Sequence, residues 1–503
     1  MFAVAGVRAI RYLIARNWLF TTAFLLGLVM RLITVLGFPP AIWFAGDSIA
    51  YVNDALTHKP SLSREAGYSV MLMALQPLHS FAVVTAVQHL MGLGIGAMSY
   101  ALLRRHGLPR WGATLATLPV LLDAYVIQLE HEMLPDIPFA FLVMGAVTLV
   151  AWWRDGERPA WVAGAAAALI AFAATCWPVG LPLLIVLVVT LALRKAGWRA
   201  VTAAVVGGAL PLGLYLAWFD VAHDHVAFNY SSGAFLWSRT TTFADCQIIK
   251  PPAEELPLCP HTPVGQRRTA SLWIWEKDSP LLKLGGRFTP RTNALAENFA
   301  RRAILAQPLG YARAVLDGFA LTFTWNRPPH PTKLMSERYQ FTLATNPWDS
   351  GARAANMILV QREYTGGHLG FARAVHPFSP IMIAYQRFMY VRGTMTGIFL
   401  LLGLGAIARA WRGGRYRQRR DWGGPALFPW LIGLGVLLVP VMSADFSLRY
   451  VVPALPAVSL AAAFLFLRPV PVMTPRPAEP RAPRPEFETE DQRTSTGPLP
   501  AQA

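Results

Sequence analysis

Apolar blocks separated by short polar stretches recur along the chain, near 18–38, 80–103, 109–128, 135–153, 159–176, 178–193, 200–219, 388–410, 425–442 and 450–467. Each is close to the roughly 20 residues that a helix needs to cross a hydrocarbon core about 30 Å thick. The pattern predicts an all-α polytopic membrane protein with about ten transmembrane helices. The first block is too long for the apolar region of a cleavable signal peptide and lacks a small-residue cleavage site.

Basic residues punctuate this pattern at alternate connections. Arg8, Arg11 and Arg16 precede the first block, and Arg104, Arg105 and Arg110 separate the second from the third. Arg154 and Arg158 follow the fourth, Arg194, Lys195 and Arg199 the sixth, and "RGGRYRQRR" (412–420) the eighth. Cytoplasmic loops carry the excess of Lys and Arg, so both termini are expected inside. The loops around Asp47, "QLEHEMLPD" (128–136) and "SADFSLRY" (443–450) are then outside, and so is the segment from Asp220 to about Pro380.

Composition agrees. The chain is 54% hydrophobic and 15% charged, with a mean hydropathy of +0.38; a soluble protein carries nearer a quarter charged residues. A net charge of +17 could suggest a nucleic-acid partner. The arginines sit where membrane topology requires them, and nucleic acid is excluded on that ground.

Four regions follow. Residues 1–219 form an N-terminal transmembrane module with the exterior loops. Residues 220–380 form a mixed exterior domain or long loop between spans seven and eight, far longer than an ordinary connection. Residues 381–467 are C-terminal transmembrane helices, and the proline-rich stretch 468–503 reads as a disordered cytoplasmic tail. Within the insertion, Cys246 and Cys259 lie 13 positions apart. In an oxidising exterior they would form a disulfide contributing about 3 kcal/mol; the alternative is two unpaired thiols. Cys176 reads as a small packing residue. Residues 293–325 read as helix interrupted at Pro308. Their second half, Tyr311 to Trp325, suits either a membrane interface or the core of a small domain. Residues 60–79 read as interfacial segments along the outer surface, and no internal repeat is evident.

Charges near the span ends are the candidates for chemistry. Asp47 follows the first span closely; a carboxylate there can be partly desolvated and serve as a base, or it can simply be a solvated loop acid. Tyr51 and Asp54 would share its face in a helix, with Asp54 expected to be exposed. Glu130, His131, Glu132 and Asp136 crowd one turn, where ordinary helix-end polarity accounts for at least one acid. Glu130 and Glu132 could also offer oxygens to a hard cation. Arg64 and Arg449 lie outside, where the positive-inside tendency does not require them, and each could hold a phosphate. Local ion pairs, Arg64 with Glu65 or Arg449 with Asp445, are the simpler reading. Arg31 lies inside the first span, where arginine is costly and must face protein, water or an anion.

In order and spacing these pieces resemble the GT-C superfamily of integral-membrane glycosyltransferases, in particular bacterial relatives of protein mannosyltransferases and of lipid A aminoarabinose transferase. The resemblance rests on "GDSIAY" and "REAGYSVML" in the first exterior loop, "EHEMLPDIP" in the second, and "DFSLRYVVPALP" in the last. It covers about residues 18–220 and 380–467. Two features depart from it: Asp47 is followed by Ser48 where relatives have a second acid, and "TCWPVG" stands where relatives carry an arginine.

The resemblance implies a sugar donor on a polyprenyl phosphate and an envelope lipid, glycan or protein acceptor. Transfer would occur on the outer face of the bacterial plasma (inner) membrane, with inversion. It implies Asp47 as general base; Glu132 is expected to support it by facing the same outer cavity and orienting the acceptor or a cation. It further implies Arg64, Arg449 and Arg31 as donor-phosphate ligands, and Tyr51, Asp136 and Tyr450 as substrate contacts. A divalent cation is a candidate cofactor, with no assigned ligands. The competing readings are a transporter or flippase of a lipid-linked intermediate, and a non-catalytic organiser of an envelope assembly.

Overall fold

The computed structural model describes residues 15–153, 159–343, 352–368, 370–412 and 424–467. Arg8, Arg11, Arg154, Arg158, all but the first residue of the 412–420 run and the whole 468–503 tail lie outside those residues.

A helix occupies every predicted apolar block. In chain order the N-terminal half comprises α1 (Trp18–Gly37), α2 (Ala45–Thr57), α3 (Gly67–Leu75), α4 (Phe81–Arg105), α5 (Arg110–Leu121), α6 (Ala124–Glu130), α7 (Asp136–Trp152), α8 (Ala160–Cys176), α9 (Gly180–Leu193) and α10 (Trp198–His223). The insertion contributes α11 (Ser232–Thr240), α12 (Ala270–Trp275), α13 (Pro290–Ala306) and α14 (Pro308–Ala320), besides the helix Ala352–Thr365 and shorter helical segments. The chain returns through α15 (Gly393–Arg412), α16 (Leu427–Ser443) and α17 (Leu448–Phe466), the last including 3-10 turns.

Among the described residues, six helices are long and apolar enough to cross a membrane: α1, α4, α10, α15, α16 with its preceding turn, and α17. The block expected at 109–128 is instead a bent pair, α5 and α6, meeting at 53°. The cause is Asp123. Its Oδ1 accepts the N–H groups of Tyr125 at 2.7 Å and Val126 at 3.1 Å, an N-cap that starts a new helix inside an apolar run. The helices α7, α8 and α9 are shorter, at 17, 17 and 14 residues.

Packing follows from small residues on facing helices. The helices α8 and α10 run in close contact, and a Cβ placed on Gly207 would lie 2.2 Å from the carbonyl oxygen of Gly164. Only glycine allows that approach, the usual way membrane helices bring backbones together. The main core joins α4, α7, α8, α9, α15, α16 and α17. A second core lies under α2 and includes Phe44, Tyr51, Tyr68, Leu134, Phe446 and Leu448, so it joins the predicted exterior loops.

The described part of the insertion is helical, not mixed: no strand occurs among the described residues, whose single isolated bridge pairs Ile42 with Glu132. Thr289 caps α13 by accepting from Thr292 N–H, with Pro290 at the first helical position. Trp237 of α11 and Phe299 of α13 centre a small core that also includes Leu258 and Cys259. Cys246 and Cys259 are joined by a disulfide. Cys176 is buried and free. The helical run at 293–325 breaks at Pro308, and α14 leaves Leu309 and Leu316 exposed, against the packed-core reading of its apolar face. In the 60–79 stretch, Tyr68 and Leu72 of α3 are buried, so that helix is packed on one side.

Candidate functional site

The helix α2 is fixed by the turn it faces. Ile42 N–H donates to the His131 carbonyl at 2.9 Å and Met133 N–H to the Ile42 carbonyl at 3.0 Å. Ser48 Oγ donates to the Met133 carbonyl at 3.0 Å and accepts from Phe44 N–H at 2.8 Å. Gln88 of α4 holds the same turn from behind, its Nε2 donating to the carbonyls of Glu130 at 2.9 Å and Glu132 at 2.8 Å. Asp47 and Asp136 are thus held in register by backbone and amide bonds.

Two arginines converge on Asp47. Arg64 donates to Oδ1, and Arg449 Nη1 donates to Oδ2 at 3.0 Å. Arg449 Nε also donates to Asp136 Oδ1 at 3.2 Å. One guanidinium therefore bridges carboxylates from two distant segments, and two acids meet two bases. The local-pair readings do not hold. Glu65 accepts from Asn229 instead of Arg64, while Asp445 accepts from His330 Nε2 at 2.8 Å and Ser271 N–H at 3.0 Å instead of Arg449.

The cluster is half closed: the side chain of Asp47 is 17% exposed and those of Arg449 and Asp136 are 9% and 2%. Burial pushes the Asp47 carboxyl up, but the charges and hydrogen bonds of Arg64 and Arg449 outweigh it and hold the group below its ordinary range. Glu132 is buried, its Oε2 accepting from Gln128 Nε2 at 3.3 Å. Burial drives its proton affinity well above the usual value despite the attraction of Arg449.

Aromatic rings wall the cluster. Tyr339 stacks on Phe44 with centroids 5.3 Å apart, and Tyr51 meets Tyr68 edge-on at 5.3 Å. Tyr450 packs on Trp177 at 4.9 Å, and the Arg449 guanidinium lies 5.6 Å from the Phe44 centroid.

Two expectations are corrected. Arg31 does not join this cluster. It donates to Glu130 Oε1 at 2.6 Å, the Leu121 carbonyl at 2.8 Å and the Gly27 carbonyl at 3.0 Å, so its charge and both terminal nitrogens are engaged within the protein. Glu130 Oε2 meets His89 Nδ1 at 2.8 Å, His89 Nε2 meets His131 Nδ1 at 3.1 Å, and His131 Nε2 meets the Phe38 carbonyl at 2.8 Å. Asp54 is not exposed but 2% accessible, accepting from Ser61 N–H at 3.0 Å. Burial pushes its carboxyl to about 7, and burial likewise pushes Glu65 to about 7.

Sequence reasoning also missed Gln88 and Tyr339, which no motif singles out. Among the described residues no group of three or more His, Cys, Asp or Glu is arranged to hold a metal. Asp47 and Asp136 already face guanidinium groups, so the cluster does not fit a divalent cation.

Residues 79–227 match the family model of the dolichyl-phosphate-mannose-protein mannosyltransferases. This segment runs through α4 to α10 and includes the 128–136 turn with Asp136, but not Asp47, Arg64 or Arg449. No curated protein matches the chain. Solved structures similar to it include the Saccharomyces cerevisiae protein O-mannosyltransferase Pmt1–Pmt2 complex bound to the sugar donor, at 12% identity and a TM-score of 0.33; the match covers 50% of this chain and only 37% of that one. ArnT from Cupriavidus metallidurans bound to undecaprenyl phosphate is 12% identical, with 89% of this chain and 78% of that one covered and a TM-score of 0.36. The Archaeoglobus fulgidus oligosaccharyltransferase in the apo form is 12% identical, with 88% and 49% covered and a TM-score of 0.38.

Proposed function

We infer that this membrane glycosyltransferase moves a sugar from a polyprenyl-phosphate donor to a hydroxyl of an envelope lipid, glycan or protein, inverting the anomeric centre. In this reading the cluster faces the extracytoplasmic side of the bacterial plasma membrane, with both termini in the cytoplasm. The observation that carries the reading is the convergence of Arg64 and Arg449 on Asp47 from opposite ends of the chain.

The chemistry asks for this charge pattern. The acceptor oxygen forms a bond to the anomeric carbon and its proton passes to Asp47. The bond from that carbon to the phosphate oxygen breaks, and its electron pair stays on the phosphate. The leaving lipid phosphate needs no proton, but it gains negative charge, and fixed guanidinium groups stabilise that charge as it develops. Without substrate, the two arginines neutralise Asp47 and Asp136. When the donor phosphate shares their N–H groups, Asp47 loses part of its pairing and becomes a stronger base. Burial raises the proton affinity of Glu132, and its protonated form is a hydrogen-bond donor beside the cluster. Tyr51, Asp136 and Tyr450 line or brace the same place.

Asp47→Asn tests the base. Side-chain general-base assistance is worth about 10²–10⁴-fold in rate. Transfer from an undecaprenyl-phosphate sugar should fall by that order, normalised to folded protein, while undecaprenyl phosphate still binds. Turnover near that of the unaltered protein would refute the assignment.

A further inference from the structure

One short helix of the insertion touches both loops that carry the arginines of the site. At its start, α12 donates Ser271 N–H to Asp445, four residues before Arg449. At its end, Trp275 lies beside Arg64, whose guanidinium carbon is 5.6 Å from the ring centroid. Six helical residues span about 9 Å, so α12 bridges the loop that carries Arg449 and the loop that carries Arg64. It contacts Asp445 at one end and Arg64 at the other.

Other residues anchor this helix. Ile274 and Trp273 are buried, and Trp273 meets Trp237 edge-on at 6.3 Å. Arg287 Nε donates to the Ile274 carbonyl at 2.7 Å and Arg287 Nη2 to the Glu276 carbonyl at 3.0 Å, fixing the last turn. Trp275 sits at the edge of the small core, against Phe288 at 5.6 Å and Phe235 at 6.4 Å, and remains 44% exposed. A held, open indole beside a phosphate-binding arginine calls for a role.

We propose that Trp275 is the stacking platform for the donor sugar, a pyranose presenting a C–H face to the indole; this rests on the function inferred above. The geometry follows from covalent connection. The anomeric carbon is bonded directly to the phosphate ester oxygen, so a phosphate held between Arg64 and Arg449 leaves its sugar against the ring beside Arg64. The cation–π contact with Arg64 also aligns the indole with the group that binds the phosphate. The insertion thereby selects for glycosylated over bare lipid phosphate, a distinction the arginines alone cannot make because both ligands carry phosphate.

The test compares binding of undecaprenyl phosphate with that of its mannosyl, glucosyl and 4-amino-arabinosyl esters, using the full chain in detergent. At least one ester should bind the unaltered protein more tightly than the bare lipid. Trp275→Leu, which keeps apolar bulk without a π face, should weaken that ester about tenfold, the scale of one aromatic contact, and leave the bare lipid unchanged. Trp275→Phe should retain most of the preference, with an unchanged thermal midpoint showing that each variant is folded. Equal loss for ester and bare lipid would mean that Trp275 only positions Arg64, and the proposal fails. It also fails if the unaltered protein binds bare lipid but favours no ester, or if only the acceptor KM responds. Absence of binding to any of these lipids would instead refute the polyprenyl-phosphate reading itself, and the proposal with it.

Discussion

Arg449→Ala removes the guanidinium that bridges Asp47 and Asp136, and its cost can be worked from the contacts. Asp47 keeps Arg64 and is partly solvated, so it contributes little. Asp136 is the group that suffers. Its side chain is 2% exposed, its Oδ1 is held by Arg449, and its Oδ2 has no partner. Breaking a buried pair from one side costs about 3–5 kcal/mol, because the remaining charge is left uncompensated. Asp136→Asn alone removes a charge and leaves Arg449 paired with Asp47, so it should cost less. The double variant should be better than the sum, since an amide in that pocket no longer needs a cation. Coupling between contacting partners commonly reaches 0.5–3 kcal/mol, and a value of about 2 kcal/mol is expected here. The assay is a double-mutant cycle on unfolding free energy in mixed micelles at pH 7. Additivity within about 0.5 kcal/mol would refute the idea that Arg449 stabilises the fold through Asp136.

Two further outcomes are expected. Asp54 and Glu65 have ordinary values of 3.8 and 4.5 but titrate near 7 in the folded protein, so the folded state favours their protonated forms. That stability is fully present below about pH 4 and is lost as pH rises through about 7. The Asp54→Asn, Glu65→Gln double variant should show a flatter unfolding midpoint between pH 4 and 8 and a higher midpoint at pH 8; an unchanged slope would contradict this. Glu132→Gln should keep transfer within a few-fold, because an amide mimics the protonated acid as a donor, whereas Glu132→Ala should lose much more; a collapse of turnover in the Gln variant would mean that Glu132 acts as an anion.

The transmembrane helices were legible because apolar blocks must be helical in lipid, where backbone groups can pair only within the segment. The bend in the third was missed, although Asp123 inside an apolar run is a capping residue more readily than a membrane residue. The four charges of the cluster were visible as charges that topology did not require. Their pairing was not, because Arg449 lies 402 residues from Asp47 and 313 from Asp136, and local spacing pointed to Asp445 instead. Asp54 was misread for a similar reason: its partner is the backbone of Ser61, beyond the end of its own helix. Trp275 gave no signal at all, since an aromatic residue in a long polar insertion looks the same whether it packs a core or borders a site.

The crowding of Glu130, His131, Glu132 and Asp136 in one turn has a physical explanation once both sides of that turn are considered. Glu130 and His131 face α1 and α4, where Arg31, His89 and the Phe38 carbonyl complete their bonds. Glu132 and Asp136 face the other way, toward Arg449. Gln88 ties the two halves together by bonding the carbonyls of both glutamates. A buried ion pair is a poor source of stability, since desolvation consumes most of its Coulombic gain, but it is exacting about geometry. The Arg31–Glu130–His89 network thus fixes the backbone of the turn from within the helical bundle. That fixed backbone sets where Asp136 meets Arg449, and so where Arg449 meets Asp47. Arg31 is therefore connected to the cluster through the turn, by way of Glu130.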